Sequence, residues 1–203
     1  MSFTFHTRPG TTDDRIVREV YTDNHYRVPS DLSGKSVVDI GANIGAFSIL
    51  CAERGADVFA FEPEPNNFQL LLRHIKEAGL DDKITPMQMG VGGEGIHKLY
   101  VNPQNYGANS QFLKNNLGLK EDTFVYMYMT NDFGTGDIVK IDCEGGEIGV
   151  LKSIVELPHR LPEKMIVEFH ESSENKRVQE ALARIYNVET ISDHEFIYHR
   201  RTA

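Results

Sequence analysis

Two acids and three small residues stand at spacings that could hold a nucleotide-like ligand. Residues 36–48 read SVVDIGANIGAFS, in which Asp39 ends an apolar run and Gly41, Asn43 and Gly45 follow at alternate positions. Glu62 comes about 20 residues after the first glycine, the separation at which an acid after the next strand accepts both ribose hydroxyls. Glycine lets the backbone turn sharply and lets a ligand lie against the main chain, while the unpaired N–H groups of a following helix point at it. The dinucleotide fingerprint G-x-G-x-x-G requires its second glycine where Asn43 stands, so a pyrophosphate is not the expected guest. A carboxylate at Asp39 would also repel a pyrophosphate, yet it suits a ligand carrying an ammonium and a sulfonium. The loop therefore points to S-adenosylmethionine, with S-adenosylhomocysteine as the spent form. No arginine stands beside Glu62, so a ribose 2′-phosphate is not expected.

A second polar constellation lies further on. In IVKIDCEGGEIGVL (138–151) Asp142 ends a strand, Glu144 precedes the Gly145–Gly146 turn, and Glu147 enters a helix whose dipole it complements. MIVEFHE (165–171) is another buried strand, ending in Glu168 and His170. His170 has the side chain whose ordinary pKa suits proton removal near neutral pH, with Asp142, Glu144 or Glu168 orienting it or the substrate. The plainer reading is a satisfied structural histidine at a strand end. The same acids with His170 could hold a divalent cation such as Mg²⁺, although none is expected. Cys143 has acidic neighbours that disfavour its thiolate, and with Cys51 it makes neither a CxxC motif nor a disulfide framework.

The elements that position these residues follow from periodicity. A strand at 37–40 leads into a helix from about Gly45 to Arg54, ended by Gly55. A strand at 57–61 is followed by a helix that starts near Pro63 and Pro65 and buries Phe68, Leu71, Leu72 and Ile75 before Gly79. Asn66 is the expected cap of that helix and His74 an exposed residue on it. After a strand at 84–89, the backbone of Met89, Gly90 and Val91 would emerge beside the adenine in a doubly wound sheet. The glycines of GVGGEG (90–95) could equally turn a hairpin into HKLYV (97–101). Residues 102–118 read as a long substrate-facing loop with Tyr106, Asn109 and Ser110 as polar contacts, and 124–129 as a strand. Residues 15–28 alternate weakly and suggest a hairpin or a strand and turn, whose Tyr21, His25 and Tyr26 line a substrate mouth or, as the favoured reading, cover the sheet edge. The alternation of strands and helices, closed by VETI and EFIYH, is that of a parallel α/β sheet with a final hairpin.

At 203 residues the chain fits one domain, with 1–35 as an N-terminal extension and 102–135 as a substrate-facing insertion. The net charge of −9 opposes a phosphate backbone, so no nucleic-acid partner is expected; the one basic cluster is His199–Arg201. No apolar run approaches the ~20 residues that span a bilayer, and the N-terminus lacks a signal-like apolar core, so neither a membrane partner nor export is expected. A cytoplasmic monomer or homodimer is the expectation.

With VVDIGANIGAFS (37–48), FEPEPNNFQLL (61–71), TNDF (130–133), DIVKIDCEGGE (137–147) and IVEFH (166–170) in hand, the chain resembles the FkbM-type methyltransferases among the Rossmann-like S-adenosylmethionine enzymes. The resemblance covers most of residues 15–170. It implies a class I methyltransferase fold: a mostly parallel seven-stranded sheet, helices on both faces and a C-terminal antiparallel hairpin. It also implies S-adenosylmethionine as donor and O-methylation of a hydroxyl on a sugar or other small molecule. By position, Asp39, Gly41, Asn43, Gly45 and Glu62 fall on cofactor sites, with Pro63, Met89, Gly90, Val91 and Asp142 beside them. Asp142, Glu144 and His170 fall near the reaction centre. TNDF departs from the pattern, which more often has leucine where Asn131 stands. N-methylation is a weaker alternative, because the strand ends in IDCEG rather than an Asn/Asp-Pro-Pro-aromatic motif. A nicotinamide dehydrogenase conflicts with the missing glycine, and a non-catalytic donor-binding module stays open.

Overall fold

Val37, Val38 and Ile40 are apolar and β-branched, and β1 (Ser36–Ile40) is covered on both faces, as a central parallel strand must be. The computed structural model describes residues 3–92, 95–101, 120–128, 136–155, 161–170 and 175–201, with the side chains of 95–101 and 120–128 excepted. The expected loop at 102–118, with Tyr106, Asn109 and Ser110, and the TNDF segment lie outside the described residues.

The main sheet has seven strands in the order β3 (Ile84–Met87), β2 (Asp57–Phe61), β1, β7 (Ile138–Ile141), β8 (Lys164–Glu168), β10 (Glu195–Arg200), β9 (Tyr186–Thr190). β3, β2, β1, β7 and β8 are parallel, and β10 runs against both of its neighbours. The expected mixed, mostly parallel sheet with a terminal hairpin is therefore the fold. Helices α2 (Ala46–Glu53) and α3 (Pro65–Ala78) cover one face, meeting Val37 and Val58. Helices α4 (Glu147–Val155) and α5 (Asn175–Leu182) cover the other, meeting Val38, Ile40 and Ile141. Among the described residues no helix is long and apolar enough to cross a membrane.

The chain leaves β1 toward β2 and β3 and returns to β7 on β1's other side. That reversal opens a crevice beyond the carboxyl ends of β1 and β7, where open α/β sheets bind ligands. A smaller sheet, β4 (Gly90–Val91), β6 (Lys120–Tyr128) and β5 (Gly95–Val101), lies in the order β4-β6-β5. Gly92 after β4 and Gly149 in α4 have a packing reason. A Cβ on Gly92 would lie 2.9 Å from the Gly146 carbonyl, and one on Gly149 would lie 2.7 Å from that of Gly92, so only glycine allows this crossing.

Three local expectations fail. Residues 13–22 form no hairpin but a short helix α1 (Asp13–Ile16) continued as a π-helical turn (Val17–Thr22). Val20 is buried, and Ile16 and Tyr21 pack against the core, a helical spacing that the weak alternation concealed. Glu64, not Asn66, caps α3: its carboxylate accepts the Asn67 N–H at 2.6 Å, and Asn66 only donates to Glu64. His74 is fully buried rather than exposed, because the segment carrying Phe3, Phe5 and His6 lies over it. The His6 amide donates to its Nε2 at 2.8 Å, so the proton sits on Nδ1 and is given to the Ile44 carbonyl at 2.7 Å.

Candidate active site

The loop after β1 is held from below. Gly41 and Ala42 donate to the Phe61 carbonyl at 3.0 and 2.9 Å. Gly41 has φ +80°, and a Cβ there would sit 1.7 Å from the Asp142 carbonyl oxygen, so the loops after β1 and β7 touch through a position with no side chain. Asn43 takes φ 52°, a left-handed conformation that asparagine tolerates. Gly45 (φ 95°) opens α2 without a side-chain cap, which leaves the helix's first N–H groups available to an anion.

Glu62 is 5% exposed and braces this loop, accepting Asn43 N–H and Glu64 N–H, each at 2.8 Å. Burial pushes its carboxyl up to about 7 despite these bonds. Pro63 follows it at the turn into α3. Of the residues expected near an adenine, Val91 is buried in the core under α4 and Gly90 pairs with Met127, while Met89 packs against that core.

Asp39 does not face a ligand as a free charge. Asp39 is fully buried, with one oxygen accepting the Ser48 hydroxyl at 2.7 Å and the other 3.2 Å from Lys140 Nζ. The charge is met inside the protein, so it neither repels a pyrophosphate nor attracts a sulfonium directly. Lys140 was missed in the sequence; its signal is a lone charge inside the apolar strand IVKI, opposite the lone charge in VVDI.

Against the glycine loop lies a cavity of 460 Å³, walled by Gly41, Asn43 and Phe47 on one side and Asp142, Glu144 and Glu168 on another. Tyr26 and His25 also line it, as do Arg15 and Glu19 of the N-terminal helical segment, while Tyr21 bonds Glu53 and is not part of that wall. His25 and Tyr26 thus line the cavity, Tyr26 while packed in the core, and Tyr21 covers the core beside it.

Beside the cavity the acids converge on one ring. His170 Nδ1 lies 2.9 Å from Glu147 Oε1, and Nε2 lies 3.2 Å from Glu144 and 3.8 Å from Glu168. Glu147 is 2% exposed and also accepts the Gly145 N–H at 2.9 Å, which with the His170 contact holds it ionised below its ordinary range against burial. Burial alone would depress the imidazole, but the bond to Glu147 and the charges of Glu144, Glu147 and Asp142 overrule it and raise His170 to about 9. His170 is therefore mostly an imidazolium at neutral pH and is free to take up a proton only above about 9, so it fits the role of base less well than the sequence suggests. Glu144 is raised as well, is mostly protonated at neutral pH and becomes a base as pH nears 8, below the point where His170 loses its proton. Burial and then the charges of Asp142, Glu168 and Glu147 raise it to about 8, with His170 opposing. Glu168 is raised for like reasons, burial and Asp142. Glu144 also holds φ 53°, a left-handed conformation uncommon for a residue with a side chain, which aims its carboxylate at His170 beside the cavity. Asp142, Glu168 and His170 bring one donor atom each within 4.8 Å, but a cation would have to displace the proton that His170 holds. Cys143 agrees with its sequence reading, its thiol pushed well up by burial and then by Glu147 and Asp142. Glu147, read as a helix-dipole partner, is the anchor of this cluster. An NMR titration of the His170 ring protons is expected to find a midpoint near 9, moving back toward 6.5 in Glu147→Gln.

Comparison with known proteins bears on this arrangement. A family profile described as the methyltransferase FkbM domain matches residues 39–198. The hexuronic acid methyltransferase AglP of Haloferax volcanii is 26% identical over 170 residues, 80% of this chain and 69% of that protein. The methyltransferase sdnD of Sordaria araneosa is 28% identical over 203 aligned residues, covering 82% and 78%. A tRNA (uracil(54)-C(5))-methyltransferase of Pyrococcus horikoshii is 26% identical over 145 residues, covering 70% of this chain but only 35% of itself. Among solved structures, the FkbM methyltransferase of Methylobacillus flagellatus KT superposes with a TM-score of 0.56 at 19% identity. That likeness covers 85% of this chain and 44% of the other, so the chain spans less than half of that protein and shares its fold.

Proposed function

The chain belongs to the FkbM methyltransferase family, and from that premise we propose that it methylates a hydroxyl oxygen of a sugar or other small molecule, using S-adenosylmethionine. The observation that carries the reading is Glu144, a carboxyl group paired with His170 at 3.2 Å and facing a cavity that adjoins the glycine loop, which ionises at about 8.

The residues present fit the donor. The loop from Gly41 to Gly45 exposes backbone, the uncapped first turn of α2 suits its carboxylate, and Asp142 offers a partner to its ammonium. Glu62 lies behind the cavity wall and accepts from Asn43, Glu64 and Asn67, which leaves a lone pair for a ribose hydroxyl that reaches it across the loop. When bound, the donor supplies an electrophilic methyl group on a sulfonium. The protein's part is alignment and proton removal: Glu144 takes the proton of the acceptor hydroxyl, and the His170 imidazolium, locked by Glu147, stabilises the carboxylate that does so. Glu168 shapes the acceptor side of the cavity. The match to a hexuronic acid methyltransferase favours a carbohydrate acceptor. A net charge of −9 disfavours a nucleic acid, and the match to a tRNA methyltransferase spans 35% of that protein.

Calorimetric titration tests the donor half. S-adenosylhomocysteine binds and NAD does not, and Glu62→Ala weakens the former by about 10- to 100-fold, the worth of hydrogen bonds to a charged group. Binding of NAD alone would overturn the reading. Turnover of labelled donor across a panel of sugars and hydroxylated small molecules tests the acceptor half.

A further inference from the structure

We infer that Lys140 is a positioning residue of the donor site: its ammonium clamps the glycine loop after β1 to Asp142 after β7, and it is more than the counter-charge of Asp39. The inference rests on the reading that this loop holds S-adenosylmethionine.

Lys140 stands on β7 directly in register with Asp39 on β1, and its side chain is 6% exposed. Its ammonium has three protons and three oxygen neighbours: the Gly41 carbonyl at 2.8 Å, Asp39 Oδ1 at 3.2 Å and Asp142 Oδ2 at 3.6 Å. The shortest contact is to the loop carbonyl and not to the buried acid. A cation that served only to neutralise Asp39 would have no need of the other two. Gly41 is also where the two loops touch, since its missing Cβ would overlap the Asp142 carbonyl. Both loops line the cavity, as does Lys140 itself. The ammonium therefore ties together, from beneath, the backbone against which the donor lies and the carboxylate offered to the donor's ammonium. Removing it frees the Gly41 carbonyl and lets the Asp142 side chain leave the cavity wall.

The experiment separates positioning from neutralisation by measuring thermal midpoint and S-adenosylhomocysteine affinity together. Lys140→Met lowers both, because Asp39 is left buried and unpaired. In Asp39→Asn/Lys140→Met the orphan charge is gone and the midpoint recovers, but affinity stays at least about tenfold below wild type, the scale of a lost charge-assisted bond. Ser48→Ala, which removes only the other Asp39 contact, lowers the midpoint and keeps affinity within about twofold. A double variant that binds within about twofold of wild type would overturn the inference, as would a Ser48→Ala loss matching that of Lys140→Met. Should the double variant not fold, Lys140→Arg decides. A guanidinium keeps the charge opposite Asp39 but cannot reproduce three convergent contacts, so affinity falls at least about threefold, and wild-type affinity refutes the clamp. A wild-type chain that binds no S-adenosylhomocysteine refutes the donor reading itself, a result that no variant can mimic.

Discussion

Replacing Glu144 with glutamine lowers kcat for methyl transfer by about 10²- to 10⁴-fold, the usual worth of a positioned base, while S-adenosylhomocysteine affinity stays within about threefold. Glutamine preserves the shape and cannot take a proton. The pH profile carries the same signature. In the wild type kcat rises as Glu144 ionises through about 8 and turns down near 9 as His170 loses the charge that faces it. The rising limb is absent in Glu144→Gln. Stability moves the other way. The folded-state pKa of Glu144 lies above its ordinary value of 4.5, so its contribution is fully present below 4.5 and is lost as pH rises through about 8. The variant, neutral throughout, is therefore expected to gain on the wild type in denaturant melts between pH 5 and pH 9. A wild-type rate in Glu144→Gln would remove Glu144 from the chemistry.

Gly41→Ala is expected to cost about 3–5 kcal/mol of stability, near the upper end for a single substitution. Two costs add at this position. A left-handed φ of +80° is unfavourable for a residue with a Cβ, and the methyl group would lie 1.7 Å from the Asp142 carbonyl, a backbone atom that cannot move aside alone. Gly79→Ala is the control, because Gly79 has φ +68° with nothing within 4 Å of its would-be Cβ. There the conformational cost alone applies, about 1–2 kcal/mol. Urea denaturation of both variants reads the difference directly. Equal losses would mean that the contact between the two loops is looser than its geometry shows.

The two failures at the site have one origin. Taken on its own chemistry, Asp39 is a free carboxylate and His170 an ordinary imidazole. Lys140, 101 residues from Asp39, cancels the first. Glu147, 23 residues from His170, and Glu144 change the second. His74 repeats the lesson in the scaffold: a covering segment 68 residues away buries its imidazole. The Glu64 cap is the converse, a local contact from an acid just before Pro65 that is legible in the sequence.

By itself the sequence determined what depends on near neighbours. Apolar β-branched runs became the buried strands, helical spacing became α2 and α3, and glycines marked the places where chain meets chain. That followed because backbone conformation and burial period are set within a turn or two of the chain. Which carboxylate is ionised, which imidazole holds a proton and which acid faces the cavity were decided only in the tertiary structure. Those states depend on desolvation and on charges summed through space, and the groups that contribute most to them come from strands and turns far apart in the chain.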